Sequence, residues 1–173
     1  FELVDILIMD KSDGKEVIDG IATMAKAHKI PNDQIVYDND GVGGFIDGFI
    51  KGSHGFVNNS SPLEDPVTKK VENYKNLKTQ CFYRSGDRVA KGEYKVSELV
   101  ANKMYDDKMT VRQRFIHERK AIKRAKKDMD GKLQIIPKEQ MKVILNGQSP
   151  DMMDAFMMRE YFELIPKKKL VLA

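Results

Sequence analysis

Hydrophobic positions in the first forty residues change from strand-like to helix-like spacing and back. Residues 1–9 (FELVDILIM) are mostly apolar and predict a strand. After the Asp13-Gly14 turn, apolar residues recur three or four positions apart, which predicts a helix over residues 15–28. Pro31 ends this helix, and residues 34–37 predict a second strand. This order predicts an α/β fold with parallel strand pairing and helices on the faces of the sheet.

The remaining pattern is largely helical. It predicts helices over residues 73–91, 98–127 and 138–145, and a short strand over residues 133–136 after the Asp130-Gly131 turn. A last helix is expected from Ser149, a suitable N-cap, through Pro150 to about residue 164. The residues of the first long helix that should face inward are Tyr74, Leu77, Cys81 and Val89.

Composition narrows the class of protein without identifying it. The length of 173 residues suits a single domain, and 41% hydrophobic with 32% charged residues is typical of globular proteins. No apolar run approaches the roughly 18 residues that would span a membrane, so no membrane association is expected. The single cysteine, Cys81, excludes an internal disulfide framework and suits a reducing compartment. A net charge of +4 permits an acidic partner.

The sequence QIVYDNDGVGGFIDG places two acids at the end of a predicted strand. Asp38 stands where open α/β sheets bind ligands, with Asp40 two residues later. The simpler interpretation is a turn in which Asp38 accepts backbone N–H bonds. The glycines do not match the dinucleotide-binding fingerprint, because Ile46 stands where its third glycine is needed. The sequence also contains no P-loop motif.

The N-terminal part of the predicted last helix carries two aspartates, Asp151 and Asp154. Asp151 in the first turn is explained by the helix dipole alone. Asp154 is followed by apolar residues that should bury the helix, and a buried carboxylate is costly unless it is paired or binds a metal. The spacing of three residues places both acids on one face, which indicates a functional pair.

A basic segment spans residues 111–127 (VRQRFIHERKAIKRAKK) and contains Glu118 as its one acid. Such a run is usually a solvated helix face, but a positive stripe is also what phosphate contacts require. Both interpretations stay open. The candidate DNA-contacting residues are Arg119, Lys120, Lys123 and Arg124. The three histidines show no metal-ligand spacing.

Five segments in order resemble the C-terminal nuclease domain of large terminase subunits of tailed bacteriophages: VYDNDGVGGFIDGF, NNSSP, NYKNLKTQCFYR, DGKLQIIPKEQMK and SPDMMDAFMMREYF. The resemblance covers about residues 2–164. It implies a ribonuclease-H-like mixed sheet flanked by helices, with a nuclease domain over residues 1–165 and a tail over residues 166–173.

The resemblance also implies a function and a set of ligands. The family cuts concatemeric double-stranded DNA with two Mg²⁺ or Mn²⁺ ions held by three acids. Asp38 matches the second acid, Asp154 is the first choice for the third, and Asp151 and Asp40 are further candidate ligands. The implied partners are double-stranded DNA, the terminase small subunit and the portal, in the cytoplasm of a bacterial host.

The family's first acid has no match near the start of this sequence, where Asp5 and Asp10 both fit poorly. We therefore expect a domain that lacks its first strands, has little or no nuclease activity, and pairs with a second copy through residues 1–9 or is disordered there. Two alternatives are a nucleotide-dependent transferase, which would need a phosphate-binding loop, and a DNA-binding or motor-docking module without catalysis.

Overall fold

Parallel strand pairs underlie the fold, as the sequence predicts. The computed structural model describes residues 1–9, 13–40, 45–125 and 131–166. Strand β1 (Glu2–Leu3) pairs in parallel with β4 (Lys95–Val96), and β2 (Val36–Asp38) pairs in parallel with β3 (His54–Phe56). These strands form two separate two-stranded sheets, whereas a single mixed sheet was expected. Antiparallel pairing in the described ranges is confined to isolated bridges such as Arg124 with Ile135.

The predicted strand over residues 1–9 is much shorter in the structure. Only Glu2–Leu3 pairs, because its partner β4 is itself two residues long. Beyond it, Asp5 accepts the backbone N–H of Ile6, shares a hydrogen bond with the His28 ring and forms an ion pair with Lys103. An apolar run therefore becomes strand only as far as a partner strand extends. Asp10 lies outside the described residues.

Local capping sets the start of several helices. Helix α1 (Gly14–Ala27) matches its prediction and begins with a capping box between Asp13 and Glu16. Helix α2 covers Ile46–Phe49. Helix α3 (Leu77–Ala90) begins four residues later than predicted, because the side chain of Asn76 accepts the N–H of Thr79.

The predicted helix over residues 98–127 is two helices, α4 (Glu98–Ala101) and α5 (Val111–Ala121). In the loop between them, Asp106 accepts the N–H groups of Lys108 and Met109. Thr110 then starts α5 with a second capping box. A short polar side chain thus competes with the helical pattern and interrupts it.

The C-terminal part also departs from the prediction. Residues 133–136 form only isolated bridges, followed by α6 (Lys138–Ile144). The last helix is divided into α7 (Asp151–Met158) and α8 (Tyr161–Leu164), and buried Glu160 lies between them. Pro150, and not Ser149, occupies the N-cap position of α7, where it makes no side-chain cap.

Helix α7 lies at the centre of the packing. It contacts α3, α5 and β2. The largest core cluster joins α3 and α7 to β3, and its buried members are Phe56, Leu77, Cys81, Phe82, Met153, Met157 and Leu164. This packing brings α7 into contact with the strand that ends at Asp38. None of the helices in the described ranges is long and apolar enough to cross a membrane.

Candidate metal site and nucleic-acid interface

Asp38 ends strand β2 and is held by Asn58, which follows the neighbouring strand β3. The side-chain amide of Asn58 donates to Oδ1 of Asp38 over 3.0 Å, and the backbone N–H of Asp40 donates to the same oxygen over 3.0 Å. The backbone N–H of Asn58 donates to Oδ2 of Asp40 over 2.9 Å. Because β2 and β3 are parallel, their ends meet at one edge and bring these three residues together.

The turn interpretation of Asp38 accounts for only one of its oxygens. Oδ1 accepts the backbone bond typical of a turn-forming aspartate. Among the described residues, Oδ2 of Asp38 accepts no hydrogen bond. Both interpretations of this residue are therefore compatible with its surroundings. Residues 41–44, including the predicted glycine turn, lie outside the described ranges.

Asp154 lies in the first turn of α7 and is 7% exposed. Its Oδ1 is 2.8 Å from the ammonium group of Lys78, and its Oδ2 is 3.8 Å from that of Lys138. Burial raises the pKa of Asp154, and the positive charges of Lys78 and Lys138 partly oppose this rise. The predicted burial of this carboxylate is confirmed.

Asp151 differs from Asp154 in its surroundings. Its side chain is 69% exposed, and its Oδ1 is 3.9 Å from the ammonium group of Lys138. Lys138 therefore lies between the two acids of α7. The negative charge of Asp151 adds to the rise in the pKa of Asp154.

The structure thus forms two acid pairs on packed elements. Asp38 and Asp40 are joined through Asn58, and Asp151 and Asp154 through Lys138. Within the described ranges, no group of three or more His, Cys, Asp or Glu side chains lies close enough to hold one metal ion. The four carboxylates remain candidate ligands, and their convergence on an ion stays a prediction.

The four predicted DNA-contacting residues form one exposed region, here called the basic patch: Arg119, Lys120, Lys123 and Arg124. The first two lie in the last turn of α5, and the other two lie on the segment after it. The predicted continuous helical stripe is therefore wrong, because α5 ends at Ala121. Lys126 and Lys127 lie outside the described residues.

Among the described residues, the basic patch differs from the arginines outside it in its lack of acidic partners. No described acid forms an ion pair with any member of the patch. By contrast, Arg84, Arg88, Arg112, Arg114 and Arg159 each pair with a carboxylate. Three patch residues (Arg119, Lys123 and Arg124) also line a cleft of about 300 Å³ whose walls include Phe82, Ile122 and Met153. Met153 precedes Asp154, so the cleft reaches the same turn of α7 as the candidate site.

Sequence reasoning missed the residues that contact these acids, namely Asn58, Lys78 and Lys138. The position of Lys78 could have been recognised from the sequence. It precedes Cys81 by three residues and Phe82 by four, which places it on the inward face of α3. A lysine on such a face indicates a buried partner. Nothing in the spacing identifies Asp154 as that partner.

The fold is similar to solved terminase nuclease domains. One is a mutant nuclease domain of the large terminase subunit gp2 of bacterial virus Sf6 with manganese and beta-thujaplicinol. It has 22% identity and a TM-score of 0.68, and the match covers 91% of this chain and 75% of that one. A mutant of the Sf6 domain with calcium has 24% identity and a TM-score of 0.67, with 90% and 74% covered. A further structure of the Sf6 nuclease domain has 22% identity and a TM-score of 0.67, over 90% of this chain and 74% of that one.

Sequence comparisons add nothing to this result, since no family model and no curated protein matches the chain. The structural likeness establishes the fold. It thereby confirms the resemblance to terminase nuclease domains that the five sequence segments indicate.

Proposed function

We propose that this chain is a divalent-metal-dependent endonuclease domain of a viral terminase large subunit, ribonuclease-H-like in fold, that cuts concatemeric double-stranded DNA. The observation that carries the proposal is the buried carboxylate of Asp154, on a helix packed against the strand that ends at Asp38. Asp154 is buried and has specific charged partners in Lys78 and Lys138, and burial raises its pKa. A carboxylate with this combination of features is a candidate for a functional role. The fold likeness to nuclease domains supports the same assignment.

The carboxylates of Asp38, Asp40, Asp151 and Asp154 fit a divalent cation chemically. All candidate donors are oxygen atoms, which suit Mg²⁺ or Mn²⁺. Asp38 and Asp154 would hold the ions, with Asp40 and Asp151 as neighbouring ligands. Two bound ions would supply an activated water and neutralise the charge that develops on the phosphate. Within the described ranges, these carboxylates do not form a cluster of three ligands.

The protein's own residues would orient these ligands. Asn58 donates one bond to Asp38 and one to Asp40, which fixes both carboxylates and leaves Oδ2 of Asp38 without a described donor. Lys78 and Lys138 keep the charge of buried Asp154 compensated. Mounting the acids on a strand end and a packed helix limits their movement, as a metal site requires.

The basic patch is proposed to bind the DNA backbone. Exposed arginine and lysine side chains without acidic partners are available for phosphate contacts, whereas ion-paired ones are not. The adjacent cleft leads from the patch to Met153, next to Asp154. DNA held on the patch would therefore lie beside the proposed ligands.

Further parts of the proposal follow from the terminase assignment. Residues 1–165 would form the nuclease domain, and residues 166–173 a tail, of which residues 167–173 lie outside the described ranges. The small subunit and the portal would be partners, and the host bacterial cytoplasm the location. Self-association through residues 1–9 also stays a prediction, and sedimentation of the purified chain would test it.

The experiment measures Mn²⁺ binding by electron paramagnetic resonance and Mn²⁺-dependent nicking of supercoiled plasmid. Asp38→Asn and Asp154→Asn should each weaken binding and remove any nicking. Asp107→Asn is the matched control, because it removes the same charge from an exposed loop. Mn²⁺ binding that is equal in the Asp38→Asn, Asp154→Asn and unaltered chains would overturn the proposal. DNA binding without any such Mn²⁺ site would favour the non-catalytic DNA-binding module.

A further inference from the structure

The first turn of α7 is capped by a residue from another helix. Pro150 at the N-cap position offers no side-chain acceptor to the exposed N–H groups of this turn. Instead, Oε2 of Glu118, on α5, accepts the N–H of Met153 over 2.8 Å. Glu118 is fully buried, and its negative charge lies at the positive end of the helix dipole. Met153 is the residue immediately before Asp154.

Arg114, one turn earlier on α5, holds the segment that leads into α7. Its Nε donates to Oε1 of Glu118 over 2.5 Å, and its guanidinium also donates to the carbonyl of Ser149 over 3.0 Å and to the side chain of Gln148. The guanidinium lies 4.9 Å from the ring centroid of Tyr105. Arg114 and Glu118 therefore form hydrogen bonds with the backbone on both sides of Pro150, at Ser149 and at Met153.

Stability alone is a weak explanation for this pair. Arg114 is 3% exposed and Glu118 is fully buried. Desolvating two charges costs several kcal/mol per ion, so apolar residues of similar volume would often stabilise a protein as well or better. What a fully bonded buried pair supplies is one defined geometry. Here the pair defines the geometry of residues 148–153. This backbone determines the positions from which the side chains of Asp151 and Asp154 project.

We propose that Arg114 and Glu118 are positioning residues for the Asp151–Asp154 turn and, through it, for the divalent cation. This inference rests on the proposed function, since it concerns the same metal site. Neither residue belongs to the proposed set of ligands. Their effect passes through the backbone of α7, so loss of the cap changes metal affinity even when the helix remains folded.

The test compares Glu118→Ala and Glu118→Gln with Glu160→Gln. Glu118→Gln keeps an oxygen that can accept the Met153 N–H but loses the charge. Glu160 is the matched control, because it too is a fully buried carboxylate, bonded to Arg88 at 3.1 Å and to Tyr94, but it lies beyond the C-terminal end of α7. Mn²⁺ affinity is measured for each folded variant, and hydrogen–deuterium exchange is followed over residues 149–158 without metal.

Changes to residues that orient metal ligands typically lower metal affinity about 10- to 100-fold. We expect about a 10-fold loss for Glu118→Ala, about a 3-fold loss for Glu118→Gln, and less than about a 2-fold change for Glu160→Gln. Exchange over residues 149–158 should increase most in Glu118→Ala. If Glu118→Ala does not fold, the Mn²⁺ affinities of Glu118→Gln and Glu160→Gln still test the positioning role. A larger loss in Glu118→Gln supports it, and equal losses contradict it.

The Asp154→Asn variant distinguishes failure of the positioning role from failure of the proposed metal site. If Asp154→Asn lowers Mn²⁺ affinity but the Glu118 variants change it no more than Glu160→Gln does, the positioning role is wrong and the metal site stands. If Asp154→Asn leaves Mn²⁺ binding unchanged, the proposed metal site is wrong and the positioning role falls with it.

Discussion

The ammonium group of Lys78 lies 2.8 Å from Oδ1 of Asp154, and the two side chains are only 15% and 10% exposed. The pair links α3 to α7 beside Phe82, whose ring centroid is 5.8 Å from the ammonium group. Because both charged groups are largely desolvated, each depends on the opposite charge of the other for compensation. Lys138 is farther away, at 3.8 Å, and its side chain is 44% exposed.

Removing one member of this pair should destabilise the fold more than removing both. We expect Lys78→Met to lower the free energy of unfolding by about 3 kcal/mol, because it leaves a buried carboxylate poorly compensated. The double variant Lys78→Met with Asp154→Leu should recover much of that loss. Urea unfolding measures both. Lys15→Met, which breaks the exposed pair with Asp19, is the control and should change the free energy of unfolding much less than Lys78→Met does, because solvent screens an exposed pair. Additive losses in the double variant would contradict the coupling.

Neutralising the basic patch should weaken DNA binding regardless of DNA sequence. Replacing its four residues with glutamine removes up to four phosphate contacts, so the slope of log K against log salt should become shallower by roughly 3 to 4 units. Fluorescence anisotropy over a salt series measures the slope. The matched control replaces four exposed lysines elsewhere with glutamine (Lys26, Lys51, Lys70 and Lys95). Equal slopes for both quadruple variants would show that the patch is only a solvated surface.

Cys81 should react with thiol reagents only after unfolding. It is completely buried in the core between α3 and α7, and burial raises its pKa to about 12. The reactive thiolate is therefore both scarce and inaccessible in the folded chain. Labelling with a coloured disulfide reagent across a urea series should follow the unfolding transition. A chain with Cys81→Ser and exposed Ser61→Cys provides the control and should react at once in buffer.

Asp65 should contribute stability that disappears in acid. Its pKa is lowered from 3.8 to about 2, first by the N–H of Thr68 and then by Arg84, whose guanidinium is 2.7 Å away. A carboxyl with a lowered folded pKa stabilises fully above its unfolded value, so this contribution is lost as pH falls from about 4 toward 2. Asp65→Asn should reduce stability at pH 7 and flatten the acid dependence in that window. Asp107→Asn should leave the pH profile of urea unfolding unchanged, and an equal profile for Asp65→Asn would contradict the prediction.

The local spacing of apolar residues was sufficient to predict several helices. The apolar spacing after the Asp13-Gly14 turn predicts α1 almost to the residue, and residues 138–145 predict α6 equally well. The inward face of α3 is confirmed at Leu77 and Cys81. These features depend on contacts within one or two helical turns, so the sequence contains nearly all of the information that determines them.

Features that depend on distant partners could not be predicted in this way. The strand at the start of the chain stops at Leu3 because β4, more than ninety residues later, is short. The cap of α7 comes from Glu118 and not from Ser149, and the partner of Asp154 is Lys78, 76 residues earlier. The sequence by itself determined helices α1 and α6, the positions of Asp38 after a strand and of Asp154 near the start of the last helix, and that Asp154 needs a partner. Only the tertiary structure decided which side chains meet them, because residues far apart in the chain approach one another only when the helices pack.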